Sequence, residues 1–214
     1  MALKEAQDTG KFLSILADGR FHMTVDAGTE GATLRTYETS TGEKGEKWER
    51  VFTEASGKIT EIKFHDGSYG KNLIVTLVDG DEEPINLSFS CNSNYGEDVL
   101  KKLLNINRDE EVKFVPFSFT DDRGKNKKGV TVYQGDTKIT SYFHDYDTTT
   151  KVTTEKNGYP TPPIAKKGKV ISSDEWKLYF AQARMFMIKH IEEKLGLDNS
   201  DAAEEAAQRA FDGE

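Results

Sequence analysis

Cysteine is nearly missing from this chain: Cys91 stands alone among 214 residues. One thiol excludes an intrachain disulfide and a zinc site built from several thiolates, and it suits a reducing compartment such as the cytoplasm. Long apolar runs are missing too. Nothing approaches the ~20 residues a membrane helix needs, so no membrane partner is expected. The opening MALKEAQDTG lacks the apolar stretch of a secretory signal. The four histidines, His22, His65, His144 and His190, are scattered without metal-ligand spacing. No phosphate-binding loop, nucleophile elbow or dinucleotide fingerprint occurs. His144-Asp145-Tyr146-Asp147 reads as a polar strand end, and Asp79, Asp81, Glu82 and Glu83 as a solvated loop. The residues therefore point to a binding protein, not an enzyme, with no metal and no cofactor.

An excess of positive charge is also lacking. Lys and Arg number 29 against 37 Asp and Glu, a net charge of -8, which by itself disfavours a polyanionic ligand. The sign is uneven, however. From Asp198 to Glu214 six acids face only Arg209, a local net of -5. From Thr120 to Val170 ten basic residues face six acidic ones, a local net of +4.

Aromatic residues are plentiful. Twelve Phe, eight Tyr and two Trp are too many for a disordered chain. Alternating apolar runs predict strands at Phe12–Leu16 and Phe21–Val25 around an Asp18-Gly19 hairpin turn, then at Ala32–Tyr37 and Trp48–Phe52. These make residues 1–56 a β extension packed on a barrel formed by residues 57–146. Within that barrel, strands are expected at Lys58–His65, Asn72–Val78 and Ile85–Ser90. Val99, Leu100, Leu103 and Leu104 then switch to helical spacing within Tyr95–Asn105. Strands resume at Val112–Phe119, Val130–Gln134 and Ile139–Phe143, the last two joined by a Gly135-Asp136 turn. The order β-β-β-α-β-β over residues 57–146 is the chain order of an OB-fold barrel, so the expected class is mainly β. Residues 147–171 read as a Pro/Thr-rich linker. Residues 172–196 form an amphipathic helix started by Ser172 or Ser173 and stopped by Gly196. Residues 197–214 are an acidic tail.

Single-strand nucleic-acid binding needs cations for phosphates and flat rings for bases. Arg123, Lys125, Lys127 and Lys128 supply four cations in the loop expected between the fourth and fifth barrel strands. Tyr133 and Tyr142, the latter beside Lys138, are expected to face outward on the closing strands. Tyr69 with Lys71 sits in the loop between the first two barrel strands, Trp48 lies between Lys47 and Arg50, and Lys58 and Lys63 lie on the first barrel strand.

FLSILADGRFHMTV, GKITEIKFHDGSYGKNLIVTLVDG, YGEDVLKKLLNIN, VKFVPFSF and GVTVYQGDTKITSYF together resemble the single-stranded DNA-binding proteins of bacteriophages, over roughly residues 11–145. That resemblance implies a distorted OB-fold and sequence-tolerant binding of single-stranded DNA, or RNA, in replication and recombination, inside the host cytoplasm. It also implies an acidic tail that recruits replication or recombination proteins, here Asp201, Glu204, Glu205, Phe211 and Asp212. The tail departs from the family pattern, because Asp212-Gly213-Glu214 follows its aromatic residue. Homo-oligomer formation is left open. The rival reading is a virion structural or assembly protein working through protein contacts.

Overall fold

The computed structural model describes residues 11–39, 42–67, 70–165 and 170–197. The chain is mainly β, with a C-terminal helix, and divides into two compact units. One comprises residues 1–99 and 107–139, the other residues 100–106 and 140–214.

The first unit is built on one ten-stranded sheet. Its strands are β1 (Lys11–Ile15), β2 (Phe21–Val25), β3 (Thr33–Glu38), β4 (Lys44–Phe52), β5 (Ala55–Gly67), β6 (Gly70–Val78), β7 (Ile85–Ser90), β8 (Glu111–Thr120), β9 (Asn126–Gln134) and β10 (Thr137–Lys138). The spatial order is β10-β9-β8-β5-β6-β7-β1-β2-β4-β3, and among the described residues no pairing joins the two ends. The sheet is therefore open where a closed barrel was expected. The N-terminal strands continue this same sheet, because β1 pairs in parallel with β7 from Lys11↔Ile85 to Ser14↔Ser88. Every other pairing among the described residues is antiparallel.

One face of the sheet carries the core. Leu73, Val75 and Leu77 of β6 alternate inward with Leu87 and Phe89 of β7, and all are buried. Phe89 sits 6.3 Å from Phe21 and 5.9 Å from Phe114, ring centroid to centroid, so one aromatic column joins β2, β7 and β8. Strand β5 runs for 13 residues and serves two neighbours, β8 through Ala55–Lys58 and β6 through Lys58–Gly67. Its register slips between Ile59 and Glu61, and the bulge lets one strand turn from one partner to the other. Helix α1 (Asn94–Lys102) starts where Ser93 Oγ accepts from Gly96 N at 3.0 Å. Its Asp98 carboxylate accepts from Val130 N at 2.8 Å, which satisfies a backbone donor of β9.

Asp18-Gly19 does not form a two-residue turn; the connection runs from Leu16 to Arg20. Asp18 Oδ1 accepts from Arg20 N at 3.1 Å, and the Asp18 carboxylate also meets His22 Nε2 at 3.0 Å, which draws the loop wider. Gly19 has φ +76° and lies so close to Ser118 of β8 that a Cβ would stand 2.5 Å from its amide nitrogen. A side chain is excluded there on both counts. His22 is buried between two carboxylates, its Nδ1 meeting Glu49 Oε2 at 3.0 Å. Arg35 completes the group with a two-pronged contact to Glu49 at 2.7 and 2.8 Å.

The second unit contains a short 3-10 turn (Leu103–Asn105), the hairpin β11 (His144–Tyr146) and β12 (Thr153–Glu155), and α2 (Ser173–Leu195). Part of the expected linker is thus paired strand. The expected strand Ile139–Phe143 is absent: β10 ends at Lys138. Ile139 N still donates to Val132 O of β9 at 2.9 Å, but beyond it Tyr142 N donates to Lys101 O at 2.6 Å and Asn105 Nδ2 to Thr140 O at 3.0 Å, so the middle of the segment is held by the 3-10 turn and the residues before it. Phe143 is fully buried at the centre of this unit, against Tyr142, Tyr159, Phe186 and His190 at 5.1–5.9 Å. Helix α2 begins as the sequence predicts. Ser172 Oγ accepts from Glu175 N while the Glu175 carboxylate accepts from Ser172 N, and Gly196 ends the helix at φ +66°.

Candidate nucleic-acid interface

Strand β8 has two unlike sides. Val112, Phe114 and Pro116 are buried toward the core, whereas Glu111, Lys113, Val115, Phe117 and Phe119 alternate onto the outer face. Pairing with β9 runs without a slip from Lys113↔Tyr133 to Thr120↔Asn126, so this division holds along the whole ladder. Pro116 lies beyond Ala55↔Phe114, the last pairing of β8 with β5, where its missing N–H costs no ladder bond on that side.

Two ring groups result. Tyr133 stands directly between Lys113 of β8 and Lys138 of β10 in one cross-strand row. Lys113 Nζ lies 5.7 Å from the Tyr133 ring centroid, a cation–π contact. A recess of about 310 Å³ opens beside them, lined by Glu110, Glu111, Lys113 and Tyr133. About 13 to 20 Å along the ladder, taking ~3.3 Å per residue, Phe117 and Phe119 pack 5.8 Å apart. Phe119 is 56% exposed, and Lys127 is its cross-strand partner.

The loop joining β8 to β9 is held in shape. Asp121 Oδ1 accepts from Arg123 N at 3.0 Å and Lys125 N at 2.9 Å, and Gly124 N donates to Asp121 O. Arg123 and Lys125 are exposed on it. The four cations of this stretch do not form one group. Lys127 faces outward, while Lys128, opposite Ser118, belongs to the other side of β9. Lys127 Nζ is 3.9 Å from Asp121.

The remaining candidates scatter. Lys58, opposite Glu111, shares the outer face with Lys63, which pairs with Glu61 at 3.0 Å. Lys71 lies on the Leu73 side of β6, over the Phe64 ring at 5.6 Å. Trp48 sits in β4 between Val25 and Leu34, far along the sheet order from Tyr133. Tyr142 is not on a strand; its ring packs against Phe143 and His190 at 5.1 and 5.8 Å. Tyr69, and Asp201, Glu204, Glu205, Phe211 and Asp212 of the tail, lie outside the described residues. The side of β6 and β7 opposite Leu73 and Leu87 carries Asn72, Ile74, Thr76, Val78, Asn86, Ser88 and Ser90, with no ring, and Ile74 and Thr76 are buried there.

Sequence reasoning singled out neither Lys113 nor Phe119. The signal was their shared parity on β8. It was masked because Val115, Phe117 and Phe119 make the outer side of that strand as apolar as the inner one. His144 and its neighbours have local partners: His144 packs on Tyr159 at 4.3 Å, Asp145 meets Lys156 at 2.6 Å, and Asp147 accepts from Thr149 N at 2.7 Å. Hydrogen bonds from Thr149 N first, then from the Thr150 side chain and backbone, hold the Asp147 carboxyl below its ordinary range. Comparison of the chain with protein-family models, with curated proteins and with solved structures gave no match.

Proposed function

We propose that the outer face of β8, β9 and β10 binds single-stranded DNA without reading its sequence, in support of replication or recombination. Bases stack on Tyr133, Phe119 and Phe117, and Lys113, Lys127 and Lys138, with Arg123 and Lys125 of the loop, follow the phosphates. The observation that carries this reading is the alternation of rings and cations along one uninterrupted two-strand ladder. Rings accept any base, and ammonium groups accept any phosphate, so the surface has no means of selecting a sequence.

The reading extends to the fold. What supports an OB-type fold is the inner order β9-β8-β5-β6-β7, with α1 between β7 and β8 in the chain. Its departure is that β7 pairs with β1 where closure would require β9.

Titration with poly-dT at low salt tests the proposal. Tyr and Trp fluorescence should be quenched on binding, and Phe119→Ala should weaken affinity roughly tenfold, within the 1–3 kcal/mol of one stacked base. Absence of binding at low salt would sink the reading. Full affinity in the Phe119→Ala and Tyr133→Ala variants would move the site elsewhere.

A further inference from the structure

Strands β5, β6, β7, β1, β2 and β4 follow one another across the sheet, yet β4 and β5 are neighbours in the chain. Only Thr53 and Glu54 separate Phe52 from Ala55, a reach of at most ~11 Å at ~3.6 Å per residue step. Laid flat, five strand spacings of ~4.8 Å would hold β4 and β5 about 24 Å apart. The six strands therefore curl until the end of β4 meets the start of β5, although no ladder joins those two among the described residues.

The curl leaves a mouth. A recess of about 280 Å³ opens there, lined by one apolar residue each from β1, β2, β4, β6 and β7: Leu13, Met23, Phe52, Leu77 and Ile85. Leu13 and Leu77 are buried and the other three half-buried. At ~30 Å³ per water the space is that of about nine waters, enough for one aromatic ring with a short chain. The mouths of curled β arrays are a common place for small ligands.

The charged lining is unbalanced. Lys11 and Arg50 stand against Glu54, Asp79, Glu82 and Glu83. Two charges just outside, Asp81 of the same loop and Lys113 at 4.0 Å from Glu54, offset each other. Two acids are left over. Lys11 is taken by Glu83 at 2.8 Å, and Arg50 lies over the Phe52 ring at 5.3 Å. Asp79 and Glu82, both exposed, share one turn, closed by Glu82 N donating to Asp79 O at 3.0 Å.

The geometry points to a binding site in this mouth for a small primary amine with an apolar body. The body enters among Leu13, Met23, Phe52, Leu77 and Ile85, and the ammonium stays at the rim beside Asp79 and Glu82. There it keeps part of its water, so the pairing avoids the cost of burying a charge. A carboxylate in the same position would meet the excess of like charge.

Amide chemical shifts of the full chain, titrated with 2-phenylethylamine at pH 7, test the site. Amides of Leu13, Met23, Leu77 and Ile85 should shift saturably. 2-Phenylethanol, nearly the same body without the charge, should bind roughly threefold more weakly, the size of one exposed ion pair, and phenylacetate more weakly still. Asp79→Asn with Glu82→Gln should bring the amine down to the affinity of the alcohol and leave the alcohol unchanged, which also shows that this variant is folded. Met23→Trp should fill the recess and abolish binding of all three. Absence of saturable shifts at these residues would overturn the inference. So would an amine that binds no better than the alcohol, and so would full amine affinity in either variant.

Discussion

Glu49 is the residue whose setting is most exacting. It is 4% exposed and holds Arg35 and His22 at once. The hydrogen bond from Arg35 is the chief cause that keeps its carboxyl below the ordinary range, outweighing the opposite effect of burial, and His22 adds to it. Burial pushes the Asp18 carboxyl up, but hydrogen bonds from His22 and Arg20 more than offset that, so it too lies low. Groups whose folded pKa is lowered stabilise the protein above their unfolded pKa, near 4, and that contribution disappears as pH falls through the folded value. Stability should therefore drop between about pH 4 and the acid side of it. Glu49→Gln should cost about 3 kcal/mol at pH 7, because Arg35 and His22 lose their shared partner. It should also flatten the acid decline. Urea midpoints measured from pH 7 to pH 3 check both, and parallel declines in the two proteins would contradict the assignment. None of this was legible beforehand, because residues 18, 22, 35 and 49 meet only through the pairing of three strands. Lys128 and Lys127 teach the same lesson on a smaller scale: neighbours in sequence, they occupy opposite sides of a strand.

At the scale of elements, local chemistry was readable and partners were not. Helix α2 was placed from Ser172, Asp174, Glu175 and Gly196 because capping uses residues within one turn of each other. Ser172→Ala should lower stability by about 1 kcal/mol, seen as a shifted urea midpoint with unchanged slope. An unchanged midpoint would mean that the cap contributes nothing. Strand β8 was found for its alternation, but which of its sides faces outward was hidden because both sides are apolar. The segment Ile139–Phe143 was misjudged for a related reason. Ile139 and Phe143 are both buried, which satisfies a strand pattern, yet Ile139 belongs to the first unit and Phe143 to the second.

For the whole molecule, the net charge of -8 is a poor guide to what the surface does. Lys113, Lys127 and Lys138 share one face of the sheet, and under the proposed function phosphate contacts there would release counterions. Replacing all three with Ala should reduce the dependence of log affinity on log salt by about 2, at ~0.7 per contact on a single strand. Titrations at four or more salt concentrations measure this slope, and an unaltered slope would remove these lysines from the interface. Strand existence could be inferred along most of the chain, but the order of the sheet could not. Pairing is decided by which buried faces meet, and that depends on residues far apart.

The parallel pairing of β1 with β7 sets a timetable for synthesis. Lys11 lies against Ile85, 74 positions later in the chain. At ~5–20 residues per second, β1 waits roughly 4–15 s for its neighbour. During that wait β2, β3 and β4 can pair among themselves, and β1 can pair with β2. Residues 11–52 thus emerge as a small sheet whose β1 edge stays unsatisfied until β7 arrives. A pause or truncation within that interval would leave a nascent chain offering that edge to any neighbour on the same message.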